Sequence, residues 1–287
     1  MTTEPMATRA PSGRRDVSHL LNKVPEVTLY FWLIKVLCTT VGETFADYLN
    51  ETLGFGLTNT TIVMGAAFLV FLGIQFRARR YVPWIYWSTV VLISVFGTLI
   101  TDNLTDGHGV PTTTTTPIFA VLLALAFGVW YVVERTLSIH TIRTPRREAF
   151  YWLAILFTFA LGTAGGDMLS EQLGFGYLTA VLIFAGAIAL VCVGRWGFGA
   201  GPIVSFWAAY ILTRPLGASI GDYMSQSRTD GALGLGTTAT SVVFLGAILA
   251  LVVFLTVTRR DVTDDTEYDG ESAVAEAEAE AHHHHHR

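Results

Sequence analysis

Residues 32–47 read Trp32-Leu-Ile-Lys-Val-Leu-Cys-Thr-Thr-Val-Gly42-Glu-Thr-Phe-Ala-Asp47. A glycine stands ten residues after the tryptophan, and an aspartate stands five residues after the glycine. The same frame occurs four times in the chain. Its tryptophans are Trp32, Trp87, Trp152 and Trp207, its glycines are Gly42, Gly97, Gly162 and Gly217, and its aspartates are Asp47, Asp102, Asp167 and Asp222. A frame that recurs in register predicts a repeated structural unit.

The composition is that of an integral membrane protein. Of the 287 residues, 52% are hydrophobic and only 14% are charged, and the mean hydropathy is +0.49. A soluble domain carries about 25% charged residues. Apolar runs of about 20 residues, enough to span the hydrocarbon core, lie near 27–50, 57–76, 82–104, 114–134, 148–170, 175–194, 201–225 and 236–258. They predict an all-α fold with eight transmembrane helices, and the lipid bilayer as a partner.

The spacing of the frames predicts how the helices are arranged. Asp47 and Asp102 are 55 residues apart, Asp102 and Asp167 are 65 apart, and Asp167 and Asp222 are again 55 apart. A shift of 120 residues therefore maps the first half onto the second. We predict four tandem two-helix repeats in two parallel pseudo-symmetric halves, 25–140 and 141–260. An N-terminal segment, 1–24, and an acidic tail, 261–287, flank them.

Basic residues predict the orientation in the membrane. They occur before the first apolar run, after the last, and in every second loop, whereas the other four loops contain only Arg228. By the positive-inside rule both termini are cytoplasmic, in a bacterial-type inner membrane. Fifteen residues of helix then place each aspartate roughly 22 Å outward from its tryptophan.

The segments outside the apolar runs carry little functional information. Residues 1–25 lack the apolar core of a cleavable signal peptide. The acidic tail is expected to be disordered, and we interpret His282 to His286 as a purification tag, a native metal-attracting tract being the alternative. Nothing in the sequence indicates a nucleic-acid partner, and a homo-oligomer is compatible with it.

The repeated frame resembles a bacterial multi-pass membrane family that is catalogued chiefly as a repeat of unknown function. The resemblance covers about residues 24–258 and depends on a tryptophan and a Gly-x4-Asp in each two-helix repeat. It implies the eight-helix architecture. It implies no substrate, so the function has to be argued from the residues.

The four aspartates are the first candidate site. Acidic residues in membrane helices are costly and are usually retained for function, and rotation of one unit about an axis would bring four of them to one depth. Glu43, one turn before Asp47, adds a fifth acid. Their oxygens suit Mg²⁺ or Mn²⁺, so Asp47 and Glu43 are candidate metal ligands for a bound divalent cation. The alternative is that each aspartate only accepts hydrogen bonds that tie the repeats together.

The glycines and tryptophans of the frame have structural interpretations. We predict that Gly42, Gly97, Gly162 and Gly217 let helices approach closely; a local break that exposes backbone carbonyls to an ion is the alternative. We predict that Trp32, Trp87, Trp152 and Trp207 form an aromatic belt at the membrane interface, with substrate gating as the alternative.

Two basic residues break the symmetry of the repeats. Lys35 occurs only in the first odd-numbered helix, and Arg214, followed by Pro215, only in the last. A charge at mid-bilayer needs a partner, so we predict ion pairs of Lys35 with Glu43, and of Arg214 with Asp222 or an acid of another repeat. Both residues are candidates for charge compensation or for coupling to protons. A Schiff-base lysine is the remaining alternative for Lys35.

Signatures of common enzyme sites are absent from the sequence, which contains no phosphate-binding Walker loop, no Gly-x-Ser-x-Gly and no His-Glu-x-x-His. We therefore predict no enzyme and no resident cofactor. The predicted function is a secondary transporter or channel-like permease for a small cation, such as Mn²⁺ or Mg²⁺ in exchange for protons. The alternatives are a proton-coupled carrier of a small organic solute and a non-transporting scaffold or sensor.

Overall fold

The computed structural model describes residues 22–261, and all regular structure in this range is helical. Its eight long helices are α1 (Leu29–Asp47), α2 (Leu57–Arg77), α3 (Pro83–Asp102), α4 (Thr112–Glu134), α5 (Pro145–Asp167), α6 (Tyr177–Gly197), α7 (Pro202–Ser225) and α8 (Thr237–Thr258). Each is long and apolar enough to cross a membrane, which confirms the predicted multi-pass fold. The predictions for residues 1–21, for the tail beyond residue 261 and for the histidine tract lie outside the described residues.

The odd-numbered helices form a closed inner ring. They contact one another in the order α1, α3, α5, α7 and back to α1. Each even-numbered helix packs mainly against the odd helix of the next repeat: α2 on α3, α4 on α5, α6 on α7, and α8 on α1. Because the second helix of each repeat packs on the first helix of the next repeat, the four repeats interlock in a pseudo-fourfold ring. We call the two ends of this ring the tryptophan end and the aspartate end.

The two classes of helix have different surroundings. Between 56% and 67% of the apolar window of each odd helix is buried, against 6% to 28% for each even helix. Large apolar side chains such as Leu182 and Leu190 of α6 are therefore exposed. In a bilayer these side chains contact lipid, which is as apolar as they are. The inner ring thus holds the groups that lipid could not solvate.

The repeated glycines lie where neighbouring ring helices touch. Each faces the residue three positions before the glycine of the next repeat: Gly42 faces Ser94, Gly97 faces Phe159, Gly162 faces Arg214, and Gly217 faces Thr39. A Cβ added to any of the four glycines would lie 2.6 to 2.8 Å from the Cβ of the facing residue. That is closer than two carbon atoms can pack, so these contacts require a residue without a side chain. The same contact, made four times, closes the ring.

The predicted aromatic belt is wrong for three of its four tryptophans. Trp87, Trp152 and Trp207 are buried inside the bundle, and Trp32 is partly buried. The indole of Trp207 donates from Nε1 to the carbonyl of Leu137 at 2.9 Å. Belt residues face the lipid headgroups, whereas these rings pack on one another's helices and close the tryptophan end. The sequence predicted that each tryptophan lies near a helix terminus, but it did not show whether the tryptophan faces the lipid or the interior of the bundle.

Candidate functional site

Five residue positions, four apart along each odd helix, line the axis of the ring. They start one residue before the tryptophan of each frame and end at its aspartate. From the tryptophan end, the layers are Phe31, Tyr86, Tyr151 and Phe206; Lys35, Val90, Ile155 and Tyr210; Thr39, Ser94, Phe159 and Arg214; Glu43, Thr98, Thr163 and Ala218; and Asp47, Asp102, Asp167 and Asp222. Contacts between opposite helices, such as that of Lys35 on α1 with Phe159 on α5, show that these side chains meet inside the ring.

Arg214 occupies the centre of the column and is fully buried. Its Nη2 lies 3.1 Å from Glu43 Oε2 and forms the ion pair that joins α7 to α1. The same nitrogen donates to the hydroxyls of Thr98 on α3 and Thr163 on α5, at 2.6 Å for Thr163. Arg214 therefore bonds to side chains on all three other helices of the ring. One arginine of the fourth repeat binds the equivalent positions of the first, second and third.

Arg214 thus pairs with an acid of another repeat, one of the partners that the sequence predicted for it. The predicted pair of Lys35 with Glu43 is wrong, because the Glu43 carboxylate lies on Arg214 instead. Lys35 is also fully buried, and its Nζ donates to Thr213 Oγ1 at 3.3 Å. The ammonium lies 4.0 Å from the ring centre of Tyr210 and 4.8 Å from that of Phe159. Lys35 and Glu43 lie two layers apart in the column, with the layer of Thr39 between them. Aromatic rings therefore take the place of the carboxylate as neighbours of the Lys35 ammonium.

The four aspartates lie together at the other end of the column. Three of them are the last α-helical residue before a short π-helical turn: Asp47 before Tyr48–Thr52, Asp102 before Asn103–Gly107, and Asp167 before Met168–Gln172. The charge of Glu43 acts on all four. The fourfold frame therefore places the acids of the four repeats in one layer around the axis of the ring.

These carboxylates have few protein partners. Asp102 is 8% exposed and Asp222 is 5% exposed, and neither carboxylate accepts a hydrogen bond from the described part of the chain. Asp167, which is partly buried, also accepts none from residues 22–261. Asp47 receives one long bond, from Gln226 Nε2 at 3.5 Å. Hydrogen bonds that tie repeats together, the alternative role for these residues, are therefore not made by three of the four.

The predicted metal ligands do not form a metal site. Glu43 is engaged by Arg214, and among residues 22–261 no three His, Cys, Asp or Glu side chains are close enough together to hold a metal ion. Asp47 and Glu43 are consequently not joined by a third ligand. A cation at the aspartate end would have to retain part of its water shell.

The sequence did not indicate the polar groups that fasten the tryptophan end. Tyr86 and Tyr151, the residues just before two of the tryptophans, share a hydrogen bond of 2.5 Å between buried hydroxyls. Lys23 Nζ lies 2.7 Å from Glu148 Oε2, and both side chains are buried. Steps of four residues, counted back from Asp102 and Asp167, reach Tyr86 and Tyr151 and would have placed them on the column. No local signal pairs Lys23 with Glu148.

Asp261 is a further residue that the sequence assigned differently. It was counted with the acidic tail, yet it is buried beside α8 and accepts a hydrogen bond of 2.5 Å from Tyr81. Its backbone carbonyl accepts from the amide of Glu26 at 3.0 Å. Burial raises the pKa of the Asp261 carboxyl, although the Tyr81 hydrogen bond works in the opposite direction. Burial and the charge of Asp261 raise the pKa of the Tyr81 hydroxyl.

Comparison with known proteins agrees with the repeat architecture. A family model described as a Repeat of Unknown Function (DUF347) matches residues 30–81, 85–136, 150–198 and 205–261. Each match contains most of one odd helix and the even helix that follows it, as the spacing of the frames predicted. No curated protein and no solved structure matches the chain. With four tandem matches over most of its length, the protein belongs to the DUF347 family of repeat proteins.

Proposed function

We propose that this protein is a secondary transporter for a small cation, and that the four aspartates form the site at which the cation enters. The observation that carries the proposal is that the carboxylates of Asp102 and Asp222, on side chains more than nine-tenths buried, have oxygens that still reach the surface of the protein and accept no hydrogen bond from the described residues. A carboxylate between membrane helices that no protein donor satisfies is costly. A bound cation or proton relieves that cost.

Symmetry strengthens the attraction for cations. Four carboxylates surround one axis, whereas the charge of Glu43, one turn below them, is balanced by Arg214. Acidic groups that converge between apolar helices focus the electric field and raise the local concentration of cations. Since the positive-inside rule places the aspartate end on the outer side, this site would face the exterior.

The rest of the column favours a transporter over an open channel. Below the aspartates the axis is occupied by the Arg214 guanidinium, held by Glu43, Thr98 and Thr163. The aromatic layer at the tryptophan end closes the other side. A cation that approaches Glu43 competes with Arg214 for the same carboxylate, so its passage requires the ion pair to break and form again. A protein in which this ion pair opens and closes alternates between two closed conformations, as a transporter does, and has no continuous pore.

The chemistry of the site limits the class of cation. The four aspartates offer oxygen ligands, and among residues 22–261 no three His, Cys, Asp or Glu side chains are close enough together to hold an ion stripped of its water. Mg²⁺ keeps several waters when it binds proteins and uses one or two carboxylates, and Mn²⁺ accepts the same ligands. We therefore propose a hydrated divalent cation, exchanged for protons, as the substrate class.

The test is flux into proteoliposomes containing the purified protein, measured for Mg²⁺, Mn²⁺, Na⁺, K⁺ and small organic solutes with and without a pH gradient. Asp102→Asn and Asp222→Asn remove the charge and retain the size of the side chain. We expect each to lower cation flux by about tenfold or more, the effect of losing about 1.4 kcal/mol of binding energy. Asp47→Asn should have a smaller effect, because Gln226 already contacts that carboxylate.

Asp230→Asn is the matched control, because Asp230 is an exposed acid in the α7–α8 connection at the same end. Its flux should equal that of the unmodified protein. If Asp102→Asn and Asp222→Asn fold and transport normally, the carboxylate site is wrong. If the unmodified protein moves no member of the panel, the scaffold or sensor role replaces transport.

A further inference from the structure

We infer that Lys35 is the residue that carries the exchanged proton. This inference rests on the proposed function, because it names the group through which cation movement is coupled to a proton. It depends on three features of the column: the surroundings of the Lys35 amine, the charge balance with Arg214 and Glu43, and a connection from Lys35 to the tryptophan end.

The first feature is that the amine is buried without a counter-ion. Its one hydrogen bond goes to the neutral Thr213 hydroxyl, and two aromatic faces complete its surroundings. Within residues 22–261 no carboxylate lies within ion-pair distance of it. A buried ammonium has a large desolvation cost, and loss of its proton removes that cost. By contrast, an arginine stays protonated in proteins, so Arg214 cannot serve in this way.

The neighbours of Lys35 come from all four ring helices. The charged or titratable ones are Arg214 and Tyr210 on α7 and Cys38 on its own helix. In the same layer α3 presents Val90 and α5 presents Ile155, and neither titrates. The positive charge of Arg214 disfavours a second charge on Lys35, whereas the Glu43 carboxylate is already bound by Arg214.

The second feature is the charge balance of the three ionisable groups. With Lys35 protonated, Lys35, Arg214 and Glu43 carry two positive charges and one negative charge, so the part of the column below the aspartates is positive and repels an entering cation. When the ammonium gives its proton to water, the amine retains the nitrogen lone pair and the three groups become neutral together. A cation can then descend from the aspartates. Proton and cation thus exclude each other, which is the requirement for exchange.

The third feature is that Thr213 connects Lys35 to an open groove. Thr213 accepts the Lys35 hydrogen bond and also lines a mostly apolar groove of about 370 Å³ between α1, α6 and α7. A second groove, of about 510 Å³, shares Arg195 and Phe206 with the first and extends to the loop around His140. These grooves lead from Thr213 towards the tryptophan end without passing Arg214, and they are the path that the exchanged proton would take.

The experiment uses the fact that the chain contains only two lysines, Lys23 and Lys35. Protein labelled with ¹⁵N at the lysine Nζ gives two signals, which Lys35→Met assigns. Lys23, which is also buried but is paired with Glu148 at 2.7 Å, gives a reference signal from the same protein. Between about pH 5 and about pH 10, a range that brackets ordinary amine and imidazole titration, the Lys35 signal should shift.

Flux gives the second measurement, in proteoliposomes with a trapped pH-sensitive dye and Mn²⁺ or Mg²⁺ as the probe. In Lys35→Met and in Lys35→Arg, the number of protons moved per cation should fall by about tenfold or more, because neither side chain can release a proton. Thr213→Val should slow proton movement, whereas Thr158→Val, at the equivalent position of α5, should not.

The outcomes separate this inference from the proposed function. If the unmodified protein transports a cation but Lys35→Met moves as many protons per cation as before, the inference is overturned and the transporter stands. If the unmodified protein moves no cation, the proposed function fails, and the lysine signals still decide whether Lys35 exchanges protons. A Lys35 signal that stays constant over the whole range overturns the inference, even when a variant fails to fold.

Discussion

The two ends of the inner ring are built from the same repeats but differ in how their polar groups are satisfied. At the tryptophan end, the buried hydroxyls of Tyr86 and Tyr151 bind each other and the buried Lys23 binds Glu148. At the aspartate end, the carboxylates of Asp102 and Asp222 accept no hydrogen bond from residues 22–261. Some buried polar atoms of the tryptophan end, such as Trp130 Nε1, also have no partner there, but its buried acids, Glu148 and Asp261, each have a donor. Because an acid without a donor favours a ligand, we propose that the tryptophan end contributes mainly to stability and the aspartate end to binding.

Between the two ends lies the Arg214–Glu43 pair, and breaking it should give the largest effect. Arg214→Met leaves Glu43 buried without a cation, which costs roughly 3–5 kcal/mol of unfolding free energy. Arg214→Met combined with Glu43→Gln should recover much of the loss, since Thr163 retains its bond to the Phe159 carbonyl. Thermal and denaturant unfolding in detergent measure both variants.

An exposed arginine–glutamate pair provides the control for this prediction. Arg146 Nε lies 2.5 Å from Glu134 Oε1, but the Arg146 side chain is 68% exposed. Arg146→Met should therefore cost about 1 kcal/mol or less. If Arg214→Met is no more damaging than Arg146→Met, or if the double variant shows additive losses, the central pair does not hold the ring together.

The glycine contacts should give the next largest effect. In Gly162→Ala the new Cβ would collide with the Arg214 side chain, 2.6 Å from its Cβ, and overpacking of this kind costs roughly 1–3 kcal/mol. Gly186→Ala, on the lipid-facing α6, has nothing within 4 Å of the new Cβ. That control should be neutral or should gain up to about 1 kcal/mol from helix propensity. Equal melting temperatures for the two variants would contradict close packing at Gly162.

Features that repeat in the sequence were predicted well. The eight helices begin and end within a few residues of the predicted runs, as for α2, predicted near 57–76 and found at Leu57–Arg77. The four tandem repeats were predicted from the spacing of four aspartates. The physical reason is that spanning a membrane fixes helix length, and repetition tests each assignment four times.

Features that depend on which helices become neighbours were not predicted. The sequence analysis paired Glu43 with Lys35, on the same helix, whereas its partner is Arg214, 171 residues away. That choice depends on closure of the ring, which brings α7 beside α1. The direction of the tryptophans failed for a related reason: hydrophobic residues are compatible both with lipid and with the interior of a bundle. Asp261 was misassigned because its partner, Tyr81, is distant in the chain.

Hydrogen-bonded hydroxyl pairs allow the two ends of the ring to be compared through a smaller effect, the coupling energy of each pair. Tyr86→Phe and Tyr151→Phe each leave one buried hydroxyl unpaired, and a double-mutant cycle should give a coupling energy of about 0.5–1.5 kcal/mol. At the aspartate end, Tyr177 donates to Glu171 Oε1 at 3.1 Å in an exposed setting. A Tyr177→Phe and Glu171→Gln cycle should show weaker coupling. Stronger coupling at the aspartate end would reverse the assignment of stability.

The smallest expected effect is a dependence of stability on pH, due to Asp261. Because burial raises the pKa of this carboxyl, the folded protein binds the proton more tightly than the unfolded chain does. The stabilisation is therefore fully present below the unfolded pKa of about 3.9, and it is lost as the pH rises through the higher folded pKa. Asp261→Asn cannot lose a proton and can still accept from Tyr81. Its melting temperature relative to that of the unmodified protein should therefore rise across this window and then level off.

Asp230→Asn, which changes an exposed acid, should show no such rise. Melting curves recorded between about pH 4 and about pH 8 decide the question, and parallel pH profiles for the two variants would mean that Asp261 titrates like an exposed aspartate.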